Sequence, residues 1–196
     1  ILHMNDTIFA DAGIDRTLCE YDWLELIGRG FDTTGAAKNG TLQWWDITNP
    51  PTRIDFGDND TVAYSIRQST TFELELIVTE DTTTCSDKDT AVITVNPLPT
   101  VNMPANMEVC FDAGVVNLRT AEDQNASGGT WSCPGRPSMI DQGYIYTTDQ
   151  AFVGKDSTKS SRDTIHYVYI DPTTGCVKHD SFVITVNPLP VVELRT

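Results

Sequence analysis

The segment Ala91-Val92-Ile93-Thr94-Val95-Asn96-Pro97-Leu98-Pro99 returns 91 positions later as Phe182-Val183-Ile184-Thr185-Val186-Asn187-Pro188-Leu189-Pro190. The same shift carries Cys19 onto Cys110 and Cys85 onto Cys176, so each cysteine pair spans the same 66 positions. Three independent markers on one period define two copies of one module. A period of 91 residues is far too long for the rungs of a solenoid, so each copy has to close its own core. The expected boundaries are 1–98 for the first copy and 99–190 for the second. Residues 191–196 read as the opening of a further module.

Each copy reads as strands. Phe72-Glu73-Leu74-Glu75-Leu76 alternates apolar and acidic side chains with period two, the pattern of a half-buried strand. Trp23-Leu24-Glu25-Leu26-Ile27, Thr41 to Ile47, Thr61 to Ile66 and Ala91 to Val95 follow turn residues and carry β-branched or aromatic side chains. Short edge strands are expected around Thr7–Ala10 and Arg53–Phe56. The second copy repeats the plan over 115–118, 129–132, 143–147, 164–170 and 181–186. No segment carries a 3.6-residue apolar period. The expectation is all-β: two tandem β-sandwiches of about seven strands each.

Charge excludes several function classes. With 28 acidic and 13 basic residues the net charge is −15, and no run of Lys or Arg interrupts it. Such a chain repels nucleic acid and anionic lipid. The acidity is concentrated in the first copy, which holds 17 of the acids. No apolar stretch reaches 18 residues, so no helix is expected to insert in a membrane. There is no phosphate loop, no nucleophile elbow and no zinc spacing among His3, His166 and His179. The chain reads as a non-enzyme without a resident cofactor.

The matched cysteine spacing predicts two disulfides, Cys19–Cys85 and Cys110–Cys176, one within each module. Five cysteines in a β-rich chain point to an oxidising compartment. Cys85 and Cys176 read as turn residues before the closing strand, and the bonds are expected to brace one end of each sandwich. Cys133 has no counterpart in the first copy and reads as a buried thiol.

Two further places are candidate sites. Asp55, Asp58 and Asp60, with Asn59, gather oxygen ligands in a short turn, which suits calcium, although the spacing is not that of an EF-hand. Asp11, Asp15, Glu20 and Asp22 form a second acidic run. Trp44 and Trp45 are adjacent in a strand, so one faces in and the other out, where an indole can stack on a sugar. Trp131 and Trp23 are expected in the core.

The chain resembles the tandem PKD-like or immunoglobulin-like modules of large secreted surface proteins of the Bacteroidetes group, and most of all the repeats of their gliding adhesins. The resemblance rests on the opening Ala10-Asp11-Ala12-Gly13-Ile14-Asp15-Arg16-Thr17-Leu18-Cys19-Glu20 and on Gly128-Gly129-Thr130-Trp131-Ser132. It rests also on the turn Thr174-Gly175-Cys176 and the two Ile-Thr-Val-Asn-Pro-Leu-Pro closures. Cys133 stands where the family has Gly. The resemblance implies stalk or spacer repeats of a cell-surface adhesin, exported by the type IX system and moved by the gliding machinery. Neighbouring modules are the implied partners, with surface polysaccharide contacted through the parent. The alternatives are a carbohydrate-binding module and an accessory domain of a secreted hydrolase.

Pro97, Leu98 and Pro99 join the two copies without a Gly or Ser spacer. Two fixed φ angles predict a short, stiff joint, and hence an extended pair of modules.

Overall fold

The computed structural model describes residues 7–49, 52–54, 61–80, 82–149, 151 and 158–190. The chain divides into two compact units, Ile1–Pro97 and Leu98–Thr196. Both are all-β sandwiches of the immunoglobulin-like, PKD-like kind. Among the described residues no helix is long and apolar enough to cross a membrane.

The described part of the first unit contains β1 (Ile8–Asp11), β2 (Arg16–Cys19), β3 (Trp23–Ile27), β4 (Arg29–Asp32), β5 (Thr41–Asp46), β6 (Thr52–Ile54), β7 (Thr61–Ser65), β8 (Thr70–Glu80) and β9 (Thr83–Asn96). One sheet has the order β2-β9-β8-β5-β6, and the two-stranded sheets β1-β4 and β3-β7 supply other strands around the core. Leu24 and Leu26 of β3 are buried with Trp44 of β5, Phe72, Leu74 and Leu76 of β8, and Ile93 of β9. A Cβ on Gly30 would come within 2.8 Å of the Leu76 side chain, so β4 approaches β8 as closely as it does only without one.

The second unit contains β10 (Met107–Cys110), β11 (Val115–Asn117), β12 (Thr130–Ser132), β13 (Ile140–Asp141), β14 (Ile145–Thr147), β15 (Ser161–Ile170) and β16 (Val177–Asn187). They form the sheets β10-β16-β15-β12 and β11-β14-β13, with short 3₁₀ turns between them. Trp131, Tyr146, Ile165, Tyr167, Phe182 and Ile184 fill this core. Trp131 packs on Tyr167 at 4.4 Å between ring centroids and meets the edge of Phe182 at 6.2 Å.

Strand register shows the repeat in three dimensions. Trp44 lies opposite Leu74, which lies opposite Asp89. Trp131 lies opposite Tyr167, which lies opposite Asp180. Trp44 and Trp131 are therefore equivalent core residues, although 87 positions rather than 91 separate them. Insertions in the loops absorb the difference.

Two expectations about strands are corrected. The closing strand does not begin at Ala91. β9 starts at Thr83, because Thr83 to Thr90 pair with Glu73 to Glu80 of β8. Lys88 Nζ reaches Glu73 at 2.6 Å and Glu75 at 3.9 Å across that ladder, which makes a polar strand face favourable in water. Trp23 is not in the core. It is 70% exposed, because Leu24 and Leu26 take the inward parity of β3.

Candidate functional site

In each unit an early strand pairs with the end of the closing strand. β2 runs parallel to the end of β9, with Arg16 opposite Ile93 and Cys19 opposite Asn96. β10 runs parallel to the end of β16, with Met107 opposite Ile184 and Cys110 opposite Asn187. Both registers are related by 91 residues. The chain thus comes in at one end of a unit, its upstream end, and leaves from the other, its downstream end.

Side chains fasten the incoming segment to the closing strand. Asp89 Oδ2 accepts the backbone N–H of Ala12 at 2.8 Å, and Asp180 Oδ2 accepts that of Met103 at 3.2 Å. In the reverse direction Asp15 Oδ1 accepts the N–H of Val92 at 2.8 Å, and Asn106 Oδ1 that of Val183 at 2.9 Å. All four obey the 91-residue shift. Asp87 adds a bond from Ala10 N–H at 2.8 Å in the first unit. A carboxylate accepting a backbone N–H is among the stronger hydrogen bonds of a protein. The acidic run of the first unit is used in the same local way. Asp11 accepts from Gly13 N–H, and Asp22 accepts from Cys19 N–H.

The second unit has an internal polar centre. Arg136 Nε donates to Asp163 Oδ1 at 2.8 Å, and Arg136 Nη2 donates to Asp163 Oδ2, giving a two-pronged ion pair. Tyr146 OH donates to Asp163 Oδ2 at 2.7 Å, and Arg136 Nη1 donates to the Ala151 carbonyl at 2.7 Å. Burial, and then the bond to Asp163, holds the Tyr146 phenol far above the usual tyrosine range. Both carboxylate oxygens of Asp163 are engaged, so the group ties β14, β15 and the segment carrying Arg136 together. Arg136, Asp163, Cys133 and His166 line a cleft of about 600 Å³. Cys133 is buried in phase with Trp131, whereas His166 lies on the exposed face of β15.

A second tie closes above Trp131. Tyr167 OH donates to the Ala126 carbonyl at 2.5 Å and accepts the N–H of Gly129 at 2.7 Å. A Cβ at Gly129 would run into the Tyr167 ring and the Val168 carbonyl. Trp131 Nε1 donates to Glu122 Oε1 at 3.0 Å. Here the Gly-Gly-Thr-Trp sequence has a physical basis: glycine lets the phenol reach the backbone over the indole.

Among the sequence-predicted residues, Trp44 is 2% exposed and belongs to the core, so it offers no face to a ligand. Trp45 lies on the opposite face of β5 and is half-buried, with its Nε1 enclosed. Asp55, Asp58 and Asp60 lie outside the described residues. Among the described residues no group of three or more His, Cys, Asp or Glu side chains is placed to hold a metal ion. Pro97 is exposed, while Leu98 and Pro99 are half-buried.

The predicted disulfides are corrected. Cys85 and Cys110 are free thiols, so neither Cys19–Cys85 nor Cys110–Cys176 is formed. Cys19 and Cys176 are disulfide-bonded. The reason lies in the ladder. Cys19 stands opposite Asn96, and Cys85 lies eleven residues earlier on the same strand β9. Cys110 stands opposite Asn187, eleven residues after Cys176. Eleven extended residues span roughly 36 Å, whereas a disulfide needs Cα atoms within about 7 Å. The cysteines of one unit occupy opposite ends of it.

No family model matches the chain, and no curated protein matches it. Solved structures do. The PKD domain 329–428 of human KIAA0319 is 15% identical, with a TM-score of 0.32, over 46% of this chain and 81% of that one. Drosophila OTK extracellular domains 3–5 are 13% identical, with a TM-score of 0.28, over 89% of this chain and 62% of that one. BT4661, a SusE-like surface located polysaccharide binding protein from Bacteroides thetaiotaomicron, is 9% identical with a TM-score of 0.43. The match covers 91% of this chain, which spans 33% of that structure. At these identities and TM-scores no function transfers, and the fold rests on the strands and registers above.

Proposed function

We propose that the chain is a pair of load-bearing spacer modules of a secreted cell-surface adhesin, without catalytic activity. The observation that carries this reading is the parallel pairing of incoming and closing strands in both units. Tension arriving at one end and leaving at the other loads that ladder along its length. Its hydrogen bonds then have to fail together in shear rather than one by one. The side-chain clasps at Asp15, Asp89, Asn106 and Asp180 lie on the same strands and add to the resistance. A stiff Pro97-Leu98-Pro99 joint, which is the expectation from the sequence, would serve the same role. Export by the type IX system, gliding motility and contact with surface polysaccharide through the parent rest on the sequence resemblance alone. Pulling single molecules from their two termini tests the reading. Each unit should give a distinct high-force rupture, and Leu18→Pro or Val109→Pro, which removes an N–H from the parallel ladder, should lower the force of that unit only. Unfolding at low force, indifferent to these substitutions, would sink the proposal.

A second reading, a glycan contact, has one observation in its favour. Trp23 and Tyr21 are 70% and 53% exposed, and the Arg67 guanidinium lies 5.3 Å from the Tyr21 ring centre. This platform differs from the Trp44-Trp45 one expected from sequence. Glycan-array binding that vanishes in Trp23→Ala would support it, and an array without signal would remove it.

A further inference from the structure

In the second unit β12 covers only part of β15. It pairs Thr130, Trp131 and Ser132 with Val168, Tyr167 and His166, while β15 begins at Ser161. A Cβ on Gly129 would meet the Val168 carbonyl at 2.5 Å, so the Val168 backbone faces β12. Backbone groups on one edge of a strand recur every second residue, so those of His166, Thr164 and Arg162 face the same way. Among the described residues the Thr164 and Arg162 backbone groups have no hydrogen-bond partner on that edge.

The first unit closes the equivalent edge. Leu74 and Tyr167 hold equivalent positions, so Thr71 and Thr164, three residues before them, do as well. The Thr71 carbonyl accepts the Ile47 N–H at 3.0 Å, and the Thr71 N–H donates to Thr48 Oγ1 at 3.1 Å. Ile47 lies three residues after Trp44, and three residues after Trp131 stands Pro134, which has no N–H to give. Pro134 and Gly135 instead form a turn, closed by the Arg136 N–H on the Cys133 carbonyl at 2.9 Å, which carries Arg136 in to Asp163. The cleft lined by Arg136, Asp163, Cys133 and His166 is the space this turn leaves beside β15.

We propose that the Arg162–Thr164 edge of β15 is a docking site for an extended, acidic segment of another protein, which adds to the sheet as a strand in line with β12. Its backbone takes the place that Ile47 and Thr48 fill in the first unit, giving an N–H to the Thr164 carbonyl and accepting the Thr164 N–H. Charge selects the occupant. Arg162, Thr164 and His166 are exposed on the outward face of β15. Asp163 is the one carboxylate among the described residues lining the cleft, and Arg136 and Tyr146 occupy both its oxygens. A basic edge therefore stands in a chain of net charge −15. An acidic side chain on the outward parity of the added strand meets Arg162. A second copy paired edge to edge would instead crowd two Arg162 guanidiniums onto one face. The site is independent of the load-bearing role, which concerns the other edge of the sheet.

A short blocked peptide of alternating threonine and glutamate, titrated into the isotope-labelled intact chain, tests this. Physiological ionic strength screens the net charge of the whole chain beyond about 8 Å. The expected result is a saturable shift of the Arg162 and Thr164 amide signals and slower hydrogen exchange at both. A lysine version of the peptide, and an N-methylated version that keeps the carboxylates but loses the backbone donors, should each bind about tenfold more weakly or worse. Arg162→Glu should weaken the glutamate peptide by a similar factor. Thr164→Pro removes an N–H that points off the sheet, so it should abolish binding and leave the pairing of β15 with β16 in place. The proposal is overturned if the two amides do not respond, if the N-methylated peptide binds as well as its parent, or if Arg162→Glu changes nothing. Shifts of the same amides with chain concentration alone would give the edge to a second copy and overturn it equally.

Discussion

Asp89 accepts the backbone N–H of Ala12 at 2.8 Å, joining the incoming segment of the first unit to its closing strand. The two residues are 77 positions apart, and the same separation recurs between Met103 and Asp180. The bond is made before the parallel ladder begins, so it fixes the path by which the chain comes onto the sheet. Asp89→Ala or Asp180→Ala leaves a half-buried N–H without its acceptor. A loss of about 1–2 kcal/mol in the unit concerned is expected, read by urea titration, with the other unit's transition unchanged. Equal destabilisation of both units would show that the clasp is not local.

Why this clasp escaped the sequence is instructive. Asp89 and Asp180 sit in the repeat itself, yet in a chain with 28 acidic residues a carboxylate in a polar strand looks like a solvated one. The alternation of Phe72 to Leu76 was enough to place β8, and the 91-residue period was enough to define the modules. Equal cysteine spacing was legible as repetition, but spacing along a chain says nothing about which end of a strand a residue reaches. Only the parallel register of Cys19 with Asn96 and Cys110 with Asn187 shows that the pairs lie far apart. Asp163 did leave a signal: it shares parity with the inward Ile165 and Tyr167, and an inward carboxylate needs a cation. Its partner Arg136 comes from a loop whose path the sequence does not specify.

The ion pair of the second unit gives a second prediction. Arg136 retains 19% side-chain exposure and Asp163 5%, so removing the cation strands an almost enclosed carboxylate. Arg136→Leu should cost about 3 kcal/mol. Adding Asp163→Leu should recover much of that loss, because the uncompensated charge goes with it. Calorimetry of the single and double variants checks this, and a double variant less stable than the sum of its parts would contradict it.

Alkaline pH supplies a third. Burial raises the Tyr146 phenol, and its bond to Asp163 raises it further. Burial also raises Tyr167, against the opposing effect of the Gly129 N–H. A proton held more tightly in the folded state contributes stability that is complete below the unfolded tyrosine value of about 10 and is lost as the pH rises above it. The second unit should therefore lose stability above that pH. Ultraviolet titration should show Tyr146 and Tyr167 ionising only as the unit unfolds. Tyr146→Phe should flatten the alkaline limb, and a profile identical to that of the parent would show that the phenol does not govern it.

The equivalent tryptophans allow the last prediction, because the two modules solve one packing problem with different polar satisfaction. Trp44 and Trp131 occupy the same register position, opposite Leu74 and Tyr167, and both are enclosed. Trp131 gives its indole N–H to Glu122, which also accepts the N–H of Gly128. The Trp44 Nε1 is buried without a hydrogen-bond partner. Replacing either residue by Phe removes a similar volume from a similar core, so the cavity contributions nearly cancel in a comparison. What differs is the hydrogen bond. Trp131→Phe loses a satisfied donor and leaves Glu122 half-partnered, whereas Trp44→Phe discards a donor that had already lost its water. Trp131→Phe should therefore cost about 1–2 kcal/mol more than Trp44→Phe. Glu122→Gln should recover little, while Glu122→Ala in the Trp131→Phe background should add less than it does alone. Urea unfolding of the five variants, following each unit separately, measures the difference. Equal costs at the two tryptophans would mean that the Glu122 bond contributes nothing net to the second core.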